Sequence, residues 1–192
     1  TGGGIIMHPS GLFDSLIGKD KKAVNLKACG LKGHKMNSRA LRIEWEHLLP
    51  ASAYGKTFPS WTKGDPECYT RKGVLFSKKR YKGRRCTSKV SQTFRYMEAD
   101  LYNLVPAVGW VNGLRSNLPM SMIEGEERNY GTCDIEFDFQ NRKFEPTDVI
   151  RGWIARAHLY MAKSYPQHVH FPDNQLVMFI LWNRDDPPSG HE

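Results

Sequence analysis

The stretch RIEWEHLLPA, residues 42–51, constrains this chain more than any other. Leu41, Ile43 and Trp45 alternate with Arg42 and Glu44, which is the period of a half-buried strand. Pro50 and Ala51 end it. Two carboxylates and an imidazole, Glu44, Glu46 and His47, sit among these apolar neighbours, and burying charge is costly unless it is paired or holds a metal. Neighbours on a strand point to opposite faces. Glu46 and His47 can therefore serve one site only if the strand ends between them and Pro50.

The chain has 192 residues, a length that suits one domain, or one domain with a long insertion. With 40% hydrophobic and 25% charged residues it has a globular composition and enough apolar mass for a core. The longest apolar run, Leu176 to Trp182, is far too short to span a membrane. A net charge of +8 favours polyanionic partners such as nucleic acid, anionic lipid or acidic glycans. The opening TGGGIIMHPS is neither a signal peptide nor a Met start and reads as a processed terminus.

Four cysteines stand at 29, 68, 86 and 133. None forms a CxxC pair, so a zinc or redox motif is disfavoured. Two disulfides in any of three pairings, or four buried thiols, remain open. A Cys68–Cys86 bridge would staple a loop of 18 residues, a stabilisation of about 3 kcal/mol.

Residues 1–40 read as loops with a short strand near Ala23–Leu26, and residues 52–93 as a long irregular loop. Phe94, Met97 and Leu101 have helical spacing, and NLVP (103–106) reads as extended. Val108, Val111 and Leu114 give a helix despite Gly109 and Gly113. IEFDF (135–139) alternates as a strand. The clearest helix opens at Pro146 or Thr147, buries Ile150, Trp153, Ile154, Ala157 and Met161, and ends before Pro166. A last helix capped by Asp173, or a strand, follows.

Between Glu67 and Glu98 there is no acidic residue, while Arg71, Lys72, Lys78, Lys79, Arg80, Lys82, Arg84, Arg85, Lys89 and Arg95 are all basic. Tyr69, Phe76, Tyr81, Phe94 and Tyr96 are interleaved with them. Basic side chains neutralise phosphates, and aromatic faces can stack on bases. A carboxylate beside a histidine, near such a face, fits metal-assisted phosphodiester cleavage. Mg²⁺ on oxygen ligands offsets phosphate charge, neutral imidazole takes a proton from water, and an arginine holds the developing charge. His168 and His170 form an H-x-H that would share a strand face, but no third metal ligand is evident.

RIEWEHLLPA followed by MEADLYNLVPAVGWVNGLRSN (97–117) resembles the endonuclease I family, which comprises secreted or periplasmic nucleases of the ββα-metal (His-Me finger) class. GRRC (83–86), GTCDIEFDF (131–139), EP (145–146) and RGWIARAHLYM (151–161) extend the resemblance over roughly 29–182. It implies an α+β domain at 29–192 with a ββα core near 42–51 and 98–118, a disulfide-held basic loop, and an extension at 1–28 of unassigned role.

The resemblance also implies His47 as general base, Glu46 and Asn112 as the protein ligands of one Mg²⁺ (Ca²⁺ or Mn²⁺ substituting), and Arg84 on the scissile phosphate, with Arg85 adjacent. Glu44, Asn103 and Arg115 would support the site. Asn103 would brace the loop backbone, and Glu44 would act behind the metal or in an ion pair with an arginine. Lys78, Lys79, Arg80, Lys82, Arg85 and Lys89 would track DNA, and the disulfides would be Cys68–Cys86 and Cys29–Cys133. The expected activity is largely nonspecific endonucleolytic hydrolysis of double- and single-stranded DNA to 5′-phosphate ends, with RNA as a further substrate. The enzyme would be a periplasmic or secreted monomer with its signal peptide removed. Two rivals are a non-catalytic nucleic-acid-binding or uptake protein on the same scaffold and a zinc-stabilised basic module.

Overall fold

A computed structural model describes residues 38–40, 42–72, 77–125, 130 and 134–190. Cys29, Cys133 and the strand expected near residues 23–26 lie outside them. Strand β1, Ile43–His47, pairs antiparallel with β4, Leu104–Val108, with His47 opposite Leu104 and Ile43 opposite Val108. Helix α5, Gly109–Arg115, follows β4 directly and packs on both strands. This strand–strand–helix unit carries the candidate site.

Gly109 permits the join. Its N–H donates to Arg42 O at 2.8 Å, and a Cβ there would lie 2.2 Å from Arg39 O. The glycine that weakens the helix pattern is what lets α5 start against the loop before β1.

The burial of β1 inverts the face that its alternation suggests. Trp45 is 68% exposed, whereas Glu46 is 8% exposed. The Glu46 face meets α5, where a buried arginine receives the carboxylate, so charge pairing overrides the apolar pattern.

The segment expected as irregular loop is built. After β1 come α1, Ala51–Gly55, and α2, Pro59–Thr62. A hairpin follows, of β2, Tyr69–Lys72, and β3, Ser77–Arg80, then α3, Arg84–Val90. Aromatic anchoring rather than periodicity holds the short helices. Tyr54, Phe58 and Trp61 surround the fully buried Phe94 ring at centroid distances of 5.6, 5.5 and 5.7 Å. The Cys68–Cys86 disulfide ties the hairpin to α3.

Phe94 sits on α4, Gln92–Glu98, capped by the Ser91 hydroxyl, which accepts from Phe94 N. A 3₁₀ turn, Leu101–Asn103, leads into β4. Strands β5, Glu136–Asp138, and β6, Lys143–Glu145, form a second hairpin.

The long helix α6 spans Arg151–Ser164 after a 3₁₀ turn at Asp148–Ile150, so it begins later than Pro146 or Thr147. It buries Ile154, Ala157 and Met161 as expected, while Trp153 is only half-buried. The last element is a helix, α7, Asp173–Asp185, with Asp173 in its first turn. It packs along α6 where Gly152 meets the end of α7, the glycine N–H donating to Asp186 Oδ2 at 2.9 Å. Among the described residues no helix is long and apolar enough to cross a membrane.

Candidate active site

The site is built where the period of a strand meets the period of a helix. Glu44 and Glu46, two apart on β1, share a face, while Asn112 and Arg115, three apart on α5, are neighbours on another. Asn112 Nδ2 donates to Glu44 Oε2 at 3.2 Å, and Arg115 Nη1 donates to Glu46 Oε1 at 2.5 Å. Arg39, which the sequence did not single out, holds both oxygens of Glu44 at 2.9–3.0 Å. Glu44 therefore serves both as an ion-pair partner and as a support for Asn112.

Arg115 is 1% exposed and fills its donor fork. Besides Glu46 it donates to the carbonyls of His47 and Leu48, each at 2.5 Å, and of Leu118 at 3.1 Å. Asn103, fully buried, secures the same turn from the other side. Its Oδ1 accepts from Leu49 N at 2.7 Å, and its Nδ2 donates to Leu49 O at 3.0 Å. The strand thus ends at His47 with its backbone clamped, and adjacent Glu46 and His47 line the same cleft.

That cleft has a volume of about 360 Å³, and its walls include Glu46, His47, Arg84 and Asn112. His47 Nε2 lies 2.9 Å from Glu98 O. A carbonyl only accepts, so Nε2 carries the proton and Nδ1 of the neutral ring is a bare acceptor. Burial holds the His47 pKa below its ordinary value against the raising effect of the Glu98 carbonyl, and the Arg84 charge adds to the lowering. Burial also pushes the Glu46 carboxyl up, opposed by Arg115.

Arg84, in the first turn of α3, reaches the cleft with a half-exposed side chain whose Nε donates to Glu98 Oε1. The Ser88 hydroxyl donates to the other oxygen of Glu98. Glu98 thus orients the imidazole through its carbonyl and the arginine through its carboxylate. Its sequence signal was position alone, as the first acid after the long basic stretch.

Of the other basic candidates, Lys79, Arg80, Lys82, Arg85 and Lys89 do not line the cleft. Lys78, Lys79 and Arg80 belong to β3, and Lys82 follows it. Arg85 stacks over Tyr81 at 4.7 Å, and Lys89 sits 5.7 Å over Tyr69 and donates to Glu67 O. His168 stacks on Phe58 at 4.1 Å.

Among the described residues no three His, Cys, Asp or Glu side chains gather to hold a metal. The cleft offers instead the Glu46 carboxylate and the Asn112 amide oxygen, left over once Nδ2 is committed to Glu44. Few hard oxygen donors in a solvent-open cleft suit Mg²⁺, which keeps several waters.

The model of the family Endonuclease I matches residues 15–192. The chain belongs to the endonuclease I family. It is 35% identical to endonuclease-1 of Buchnera aphidicola subsp. Acyrthosiphon pisum, over 92% of this chain and 63% of that protein. It is equally similar to an extracellular deoxyribonuclease of Aeromonas hydrophila, over 90% and 67%, and to a periplasmic deoxyribonuclease of the same organism, over 90% and 64%. The chain thus spans about two thirds of the length of these endonuclease I relatives.

Proposed function

We propose that this chain is a metal-dependent, largely sequence-nonspecific endodeoxyribonuclease, with β1, β4 and α5 as a ββα-metal core. One observation carries the reading. His47, with Nε2 committed to Glu98 O and Nδ1 left as an acceptor, shares one cleft with Glu46, Asn112 and Arg84. The names of the relatives, endonuclease and deoxyribonuclease, support DNA as the substrate.

Glu46 and Asn112 would hold a single Mg²⁺, with Ca²⁺ or Mn²⁺ able to substitute. Bound there, the ion would supply charge neutralisation of the phosphate and stabilisation of the leaving oxygen. His47 Nδ1 takes a proton from the attacking water. The water oxygen bonds to phosphorus and the P–O3′ bond breaks, leaving a 5′-phosphate and a 3′ oxygen that takes a proton from solvent to become a hydroxyl. Arg84 exchanges its Glu98 contact for the scissile phosphate and holds the charge that grows on it. Arg115 and Asn103 hold Glu46, His47 and the following turn in place. The extracellular and periplasmic names of relatives support export, and the Cys68–Cys86 disulfide suits an oxidising compartment.

The test is ligation of the products. Fragments made in Mg²⁺ should be substrates for DNA ligase without prior phosphorylation, and EDTA should abolish their formation. Fragments that need a kinase before ligation would contradict the proposed bond cleavage.

A further inference from the structure

A second cavity of about 270 Å³, slightly below the usual range of small-molecule pockets, lies against the cleft. The two share Pro50, Ser52 and Asn117 as a common wall. Its floor is aromatic. Phe171 and Phe179 meet edge-on at 5.1 Å, and the buried His158 ring stacks on Phe179 at 4.5 Å.

Of the three imidazoles that line the cavity, His158, His168 and the exposed His170, the first two have fixed tautomers. His158 Nδ1 donates to Ile154 O at 2.8 Å. The Thr57 hydroxyl donates to Tyr54 O at 2.7 Å, so it accepts from His168 Nδ1 at 2.8 Å. The second nitrogen of each neutral ring is therefore an acceptor. The cationic lining is at exposed positions, Lys56 and Arg142, and Arg142 also donates to Asn117 Oδ1 at 2.9 Å on the shared wall.

An interior of rings and acceptors rejects a phosphate but suits a flat ring bearing N–H groups, while the cationic edge suits a phosphate. We propose that this cavity is a nucleotide subsite, which takes the unpaired base of a nucleotide flanking the scissile bond and holds that nucleotide's phosphate on Lys56 and Arg142. The inference rests on the nuclease reading above. Extruding a base from a duplex costs unstacking energy, so the subsite favours single-stranded over duplex substrate.

The test uses Ala53→Trp, at an exposed rim position of α1, which fills the mouth without touching the cleft. In EDTA, wild type should bind deoxyadenosine 5′-monophosphate saturably and about tenfold tighter than inorganic phosphate, and Ala53→Trp should lose that difference. In Mg²⁺, Ala53→Trp should raise KM for a single-stranded oligonucleotide about tenfold. Its hydrolysis of bis(4-nitrophenyl) phosphate, which has no base, should be unchanged, and this also reports that it folds. Arg142→Ala should weaken nucleotide and phosphate alike. Equal affinity of wild type for the nucleotide and for phosphate, or an unchanged oligonucleotide KM in Ala53→Trp, would overturn the subsite. Failure of wild type to hydrolyse either substrate would overturn the nuclease reading instead, with nucleotide binding still deciding whether the cavity takes a base.

Discussion

Arg115 on α5 and Glu46 on β1 form an ion pair buried between the helix and the strand, at 2.5 Å. The same guanidinium carries the carbonyls of His47 and Leu48, so one side chain fixes both a carboxylate and the backbone beside it. Removing one partner of such a pair leaves an uncompensated buried charge, at a cost of about 3–5 kcal/mol. Arg115→Ala should lower the unfolding free energy by that order in urea titrations. Arg115→Lys should recover only part of it, because a compact ammonium cannot span the four oxygens that the planar guanidinium reaches. A stability loss under 1 kcal/mol for Arg115→Ala would show that the pair is not structural.

His158 sets a pH dependence. Burial drives its pKa down to about 3, far below the ordinary value near 6.5. As pH falls from 6.5 toward 3, the unfolded chain takes a proton that the native ring refuses. Stability contributed above pH 6.5 is therefore lost at up to about 1.4 kcal/mol per pH unit in that window. His158→Phe, stacking on the same Phe179, should reduce the slope of stability against pH by about one proton. An unchanged slope in denaturant titrations at pH 6, 5 and 4 would rule out this source.

Arg84 is half-exposed and contributes little to the fold, so its loss should appear in the chemistry. Arg84→Ala should lower kcat about 10²–10³-fold with the melting temperature nearly unchanged. Arg84→Lys should retain part of the rate. A rate loss of Arg84→Ala confined to KM would assign the residue to binding alone.

The hairpin and the segment after it carry Lys79, Arg80 and Lys82, clear of the cleft. Their joint replacement by Ala should weaken DNA binding without changing kcat. It should also flatten the salt dependence of log Kd by about 0.9 per lost phosphate contact. An unchanged salt slope, measured by fluorescence anisotropy in EDTA, would remove this surface from the DNA path.

The candidate site was more legible in the sequence than the ground around it, for physical reasons. The helical spacing of Val111 and Leu114 marked α5, although Val108, read with them, closes β4, and the alternation before Pro50 marked β1, but only the family resemblance paired Glu46 with Asn112. Which face of β1 is buried was not legible. It depends on Arg115, a long-range partner that no local pattern reveals. The helices α1 and α2 escaped notice because they have five and four residues and are ordered by Tyr54, Phe58 and Trp61 packing on Phe94. Glu98 escaped because the group that meets His47 is a backbone carbonyl, which no residue type encodes.

The central claim is that His47 Nδ1 takes the proton from the attacking water. The most direct measurement is nicking of supercoiled plasmid by the oxidised protein and by His47→Ala, in Mg²⁺ and in EDTA, with plasmid binding followed alongside. The account predicts wild-type nicking in Mg²⁺ only, no nicking by His47→Ala, and equal plasmid binding by both. Undiminished nicking by His47→Ala would contradict it.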